Sequence, residues 1–131
     1  MSRSKRDIFY MKDIQNRNDI DVLMRDFYGR LLADPAINYV FTTVAKIDLE
    51  AHLPMIGDFW EQNLLHTGNY KNNVLQIHQL LNGKEKLSAE LFEIWLEHFY
   101  TAIDANFSGE NSEKAKTRAL SIATIMKIKM Q

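Results

Sequence analysis

Cysteine is absent from the chain, and only two prolines and five glycines interrupt its 131 residues. Without thiols there can be no disulfide, no thiolate nucleophile and no Cys-ligated zinc or iron–sulfur centre. Nor does any apolar run approach the ~20 residues that a membrane-spanning helix needs. Arg3, Lys5 and Arg6 near the start are not followed by a signal-like apolar segment, so the sequence reads as cytoplasmic, without a membrane partner. A formal net charge of −1 creates no field to attract nucleic acid or an anionic surface. HExxH, EF-hand, P-loop and GxGxxG signatures are all missing.

What is present is helical periodicity. The chain is 46% apolar and 25% charged, the balance of an ordinary globule with one core. Ile8, Phe9, Met11 and Ile14 suit a short amphipathic helix. Asn18 can cap a longer one, with Ile20, Leu23, Met24, Phe27, Leu31 and Leu32 on one face and Tyr28 at its edge. Ala33-Asp34-Pro35 ends it, because the residue before proline is pushed out of the α region. Asn38–Phe41 is a short apolar turn. Asp48 caps a helix to about Leu65, and Gly68 is its natural left-handed stop. Asn73–Leu81 forms a short helix closed by Asn82-Gly83. Ser88 caps another, with Leu91, Phe92, Trp95, Leu96, Phe99 and Ile103 inward. Ser112 begins the last, with Ala115, Ala119, Leu120, Ile122, Ala123 and Met126 inward. The fold class is all-α, six or so helices without a credible strand.

His78 sits among Val74, Ile77 and Leu81 on one helix face. A histidine so placed is as a rule a core residue with a hydrogen-bond partner. A second one, His52, lies 26 residues earlier on the apolar side of another helix, in a band about 140° wide with Leu53, Ile56, Phe59 and Trp60. Tyr28, His52 and Trp95 can each donate a hydrogen bond from an otherwise apolar wall. One imidazole opposite a few donors in a large apolar cavity is what a haem requires. On spacing alone this and a buried structural histidine remain open. His66 and His98 read as surface or rim residues.

The runs Leu23–Tyr28, Asp34-Pro35-Ala36-Ile37 with Phe41, His52 with Ile56–Trp60, Thr67–Tyr70, Ile77-His78 and Phe92–Leu96 together resemble a truncated haemoglobin of group III. The resemblance covers nearly the whole chain from Ile14 onward, and the Gly-Gly pairs common in groups I and II are absent. It implies a globin-like 2-over-2 helical sandwich over residues 1–131, a single domain with 1–14 as an N-terminal extension. It implies one haem b, held without thioether links, and reversible binding of dioxygen or another diatomic ligand. His78 matches the proximal iron ligand; Tyr28, His52 and Trp95 match the distal polar residues, with His52 facing into the pocket or swung out of it. Phe41 matches the phenylalanine wedged against the haem, Ile56 the apolar residue above the iron, and Phe59 and Trp60 continue that wall. An enzyme acting on peroxide or nitric oxide, supplied with electrons by a separate reductase, is the alternative implied activity.

Overall fold

A computed structural model of the chain describes residues 11–66 and 88–129. The Asn73–Leu81 stretch with His78, and the Gly68 and Asn82-Gly83 stops, lie outside the described residues. Four long helices fill the rest: α1 (Arg17–Ala33), α2 (Leu49–Leu65), α3 (Ala89–Asn106) and α4 (Glu110–Lys129), with a π-helical turn at Val40–Val44 between the first two. The described residues contain no strand. α1 packs on α2, α3 on α4, and the two pairs meet through α1–α3 and α2–α4 contacts. The result is two helices over two, the globin-like sandwich expected. None of these helices is long and apolar enough to cross a membrane.

α1 begins two residues earlier than the sequence suggested. Asn16, not Asn18, is the cap: its side-chain oxygen accepts from the Asp19 amide at 3.0 Å. Asp19 answers by accepting from the Gln15 amide at 2.9 Å and from Lys12 Nζ at 2.7 Å. This reciprocal arrangement satisfies donors that the first turn leaves orphaned. Asp19 is only 2% exposed, a buried capping carboxylate and not the solvated dipole partner it resembles in sequence. Beyond it Ile20, Leu23, Met24, Phe27 and Leu31 are buried, as their spacing requires, and α1 stops at Ala33 before Pro35.

Residues 11–15 are not helical, contrary to the amphipathic pattern, although Ile14 is fully buried. Their backbone and side chains are bound to the start of α4 instead. Asp13 accepts from the Asn111 amide (2.7 Å), the Ser112 amide (2.8 Å) and Ser112 Oγ (2.7 Å). The Ile14 carbonyl accepts from Asn111 Nδ2 and the Lys12 carbonyl from the Ser108 amide. A carboxylate on the exposed amides of a helix N-terminus is favoured by both hydrogen bonding and the dipole. Gly109 makes the approach possible. Its φ of +148° suits glycine, and a Cβ there would lie 2.5 Å from Asp13 Cγ.

Asp48 and Ser88 cap α2 and α3 as read from sequence, accepting from the Glu50 and Leu91 amides. The left-handed cap of α2 comes two residues before the expected Gly68: His66 itself is left-handed (φ 59°, ψ 27°) and its amide reaches the Gln62 carbonyl. The start of α1 crosses α2 at Gly57. The Arg17 guanidinium lies over it, 2.6 Å from Asp58, 2.8 Å from Glu61 and 3.1 Å from the Pro54 carbonyl. On α4 the buried line is Ser112, Ala115, Ala119, Ala123 and Met126. Leu120, expected inward, is 47% exposed, because this narrow line of small side chains is the face pressed against α3 and Leu120 lies one residue beyond it.

Candidate distal pocket

The inward edge of α1 carries Phe27 and Tyr28 side by side, their rings edge-on at 5.2 Å. Tyr28 faces the π-helical turn, where Phe41 lies 5.9 Å away at 83°, and α2, where His52 lies 5.2 Å away at 80°. The turn has a local cause. Its wider spiral closes with the Ala45 amide on the Val40 carbonyl at 2.8 Å and drives Val40 and Phe41 inward, the apolar plug foreseen in the sequence. π-turns of this kind recur at functional sites. Ile56, one helical turn after His52, is also buried.

The polar centre of this group is a hydrogen bond of 2.8 Å between the Tyr28 hydroxyl and His52 Nε2. Tyr28 is 5% exposed, and burial among rings pushes its ionisation well above the ordinary phenol range. The hydroxyl therefore stays protonated and remains a donor at any physiological pH. Which way the bond runs depends on the imidazole. With a proton on Nε2, His52 donates and leaves the Tyr28 O–H aimed elsewhere; with the proton on Nδ1, Tyr28 donates to His52. Among the described residues the Tyr28 hydroxyl has this one partner, so part of its bonding capacity is spare.

Trp95 joins the group at one remove. It lies on α3, half-buried, edge-on to Phe27 at 5.5 Å and parallel to Phe99 at 5.9 Å. Its indole N–H has no hydrogen-bond partner among the described residues. Phe59 and Trp60 are buried, and Trp60 stacks on Phe99 at 4.9 Å, so they reach the tyrosine through Phe99 and Phe27. The structure thus brings Tyr28, Phe41 and His52 into direct contact, adds Trp95 through Phe27, and sets Phe59 and Trp60 on the far side of the same aromatic wall.

Phe27 and Phe99 are the rings that sequence reasoning left as plain core. Their signal was positional: Phe27 adjoins Tyr28, and Phe99 follows Trp95 by one helical turn. His66 is exposed, as read. His98 sits at the rim. It is half-buried and its Nε2 lies 2.7 Å from Asp34, tying α3 to the end of α1. That bond, with one from the Ala36 amide, lowers the Asp34 carboxyl below its ordinary value. Among the described residues no group of three or more His, Asp or Glu side chains could hold a bare metal ion.

The chemistry of this wall fits a haem edge. Rings and Ile56 would offer apolar contact to a porphyrin, and Tyr28, His52 and Trp95 are groups able to donate to a small polar ligand beside it. No family model matches the chain. It is similar to the group 3 truncated hemoglobin ctb of Campylobacter jejuni, 29% identical over 112 residues that cover 83% of this chain and 86% of that protein. Its fold superposes on the crystal structure of the group III truncated hemoglobin from Campylobacter jejuni with a TM-score of 0.80. There the identity is 27%, over 92% of this chain and 96% of the other.

Proposed function

We propose that this chain, which has the fold of the group III truncated haemoglobins and is related to them in sequence, binds one haem b and uses it to hold dioxygen or another diatomic ligand reversibly. His78 is the proposed iron ligand, and Tyr28, His52 and Trp95 are the proposed polar groups toward the bound ligand. Haem iron, when bound, supplies an open coordination position to which a diatomic molecule attaches without any bond of the protein being made or broken. The observation that carries the reading is the buried Tyr28 hydroxyl, held 2.8 Å from His52 in a wall of rings and with part of its bonding capacity spare.

The protein groups have separable tasks. Phe41 and Ile56 exclude water, so that a hydrogen bond to a charge-bearing ligand acts in a medium of low dielectric. Tyr28 donates to the ligand when His52 Nε2 donates to the tyrosine oxygen; reversing that bond turns the tyrosine proton away. His52 therefore acts on the ligand through Tyr28 as well as by its own reach. Each such hydrogen bond contributes about 1–1.5 kcal/mol, enough to slow ligand escape roughly tenfold. His78 must coordinate as neutral imidazole, with its other ring nitrogen donating to an acceptor that fixes the ring.

One experiment tests the central claim. The purified full chain should show an intense Soret absorption that is lost on His78→Ala. A colourless wild-type protein that cannot be reconstituted with haem, or a His78→Ala variant with full haem content, would overturn it. A second reading is peroxide or nitric-oxide chemistry with electrons from a separate reductase, and the Tyr28–His52 pair favours it as a short proton path beside the ligand. Stopped-flow mixing of the oxygenated protein with nitric oxide, and of the ferric protein with peroxide, separates this from simple binding. The absence of either fast reaction would leave reversible binding as the activity.

A further inference from the structure

α4 is apolar on both sides. Its inner line of alanines presses on α3, and its outer face carries large aliphatic side chains that stand exposed. Leu120 is 47% exposed, Ile125 48% and Ile128 73%. Between them lie only hydroxyl side chains: Thr117, Ser121 and Thr124 fall within the same half of the helix by the 100° rule, all exposed. From Thr117 to Ile128 the charges Arg118 and Lys127 stand only at the two edges of this outward face. A solvent-facing helix surface is ordinarily lined with charged residues. Three large aliphatics interleaved with small hydroxyls are instead the composition of a helix–helix contact.

The charges at the two ends of this face identify the partner. Glu113, Leu120 and Lys127 are spaced by seven residues, so they follow one line along the helix, drifting by only about 20° per step. Glu113 is 73% exposed and Lys127 half-buried. If a second α4 lies antiparallel on the first, with the two-fold axis at Leu120, each Glu113 falls opposite the other copy's Lys127. The same operation places Leu120 on Leu120 and repeats the ion pair on both sides of it. A parallel arrangement would set like charge on like. The sequence of the face is thus complementary to itself in one orientation, the condition for an isologous interface.

We infer that the outer face of α4 is the contact of an antiparallel homodimer, centred on Leu120 and flanked by two Glu113–Lys127 pairs between the copies. The helix is about 30 Å long, and one helix face falls short of the about 800 Å² per partner of a standard interface. The dimer is accordingly a weak one, formed at the upper end of the micromolar range and above.

Sedimentation velocity of the full-length protein over the micromolar-to-millimolar range tests this. Wild type should move from monomer towards dimer as concentration rises, and Leu120→Lys, which places two ammonium groups on the axis, should stay monomeric with unchanged helix content. Val22→Lys, at an exposed apolar position on α1 (43% exposed), should dimerise as wild type does. Glu113→Lys should weaken association severalfold, and adding Lys127→Glu in the same chain should restore it. Monomer at every concentration, or a dimer indifferent to Leu120→Lys, overturns the inference. A charge swap that fails to restore association overturns the antiparallel register.

Discussion

Two polar clusters against the core of this protein, one partly and one largely buried, look alike in isolation and differ in one respect. At the start of α4 the Asp13 carboxylate accepts from two amides and a hydroxyl, all within 2.8 Å. At the inner edge of α1 the Tyr28 hydroxyl has one partner among the described residues, His52 Nε2 at the same range. The first cluster is saturated and joins segments nearly a hundred residues apart in sequence. The second keeps bonding capacity in reserve, surrounded by rings that exclude water. Saturated buried polar groups fix a structure, and groups with spare capacity are available to a ligand.

The sharpest way to break this contrast is to remove each group and read both stability and ligand kinetics. Asp13→Ala deletes a charged cap and leaves the first amides of α4 without their acceptor, so it should cost about 2–3 kcal/mol, read from the shift of the urea midpoint. Ligand dissociation rates should hardly change. Tyr28→Phe should do the opposite: oxygen dissociation roughly ten times faster by laser photolysis or stopped flow, with stability within about 1 kcal/mol. Equal kinetic effects of the two substitutions would erase the distinction.

Acid titration sharpens it further. Burial works against the Asp13 charge, but the bonds from Ser112 and Asn111 outweigh that and lower its ionisation below the ordinary value. A carboxylate depressed in the folded state contributes stability that is fully present above the unfolded value of about 4 and is lost as pH falls through the lower folded one. The stability difference between wild type and Asp13→Asn should therefore shrink as pH drops below about 4, measured by denaturant unfolding at stepped pH. Tyr28, raised by burial, should leave no mark in that range.

The smallest effect is expected at the α1–α2 crossing. In Gly57→Ala the added Cβ would meet the mobile end of Arg17 at 2.7 Å. Displacing a partly exposed ion cluster costs about as much as alanine gains over glycine within a helix, so thermal stability should change by no more than about 1 kcal/mol.

Much of the scaffold was legible in local pattern. The stripes from Ile20 to Leu31 and from Phe92 to Ile103, the proline stop at Pro35, and the caps Asp48 and Ser88 depend on neighbours within a turn or two, which periodicity records directly. The errors share one origin. Met11 and Ile14 have helical spacing, yet their segment bonds to the start of α4 instead. Asn16 and Asn18 are equally good caps in composition, and the choice falls to the one whose amide neighbours Asp19 can also serve. Leu120 reads as core only until the alanine line claims the contact with α3.

The sequence by itself determined the four long helices and most of their inward faces, because side-chain shape and spacing act over a few residues. Only the tertiary structure decided that Tyr28 bonds His52, that Trp95 reaches them through Phe27, and that Asp13 closes the start of α4. Those contacts join residues 24, 68 and 99 positions apart in the chain, and no local pattern encodes which distant partner a polar group will meet.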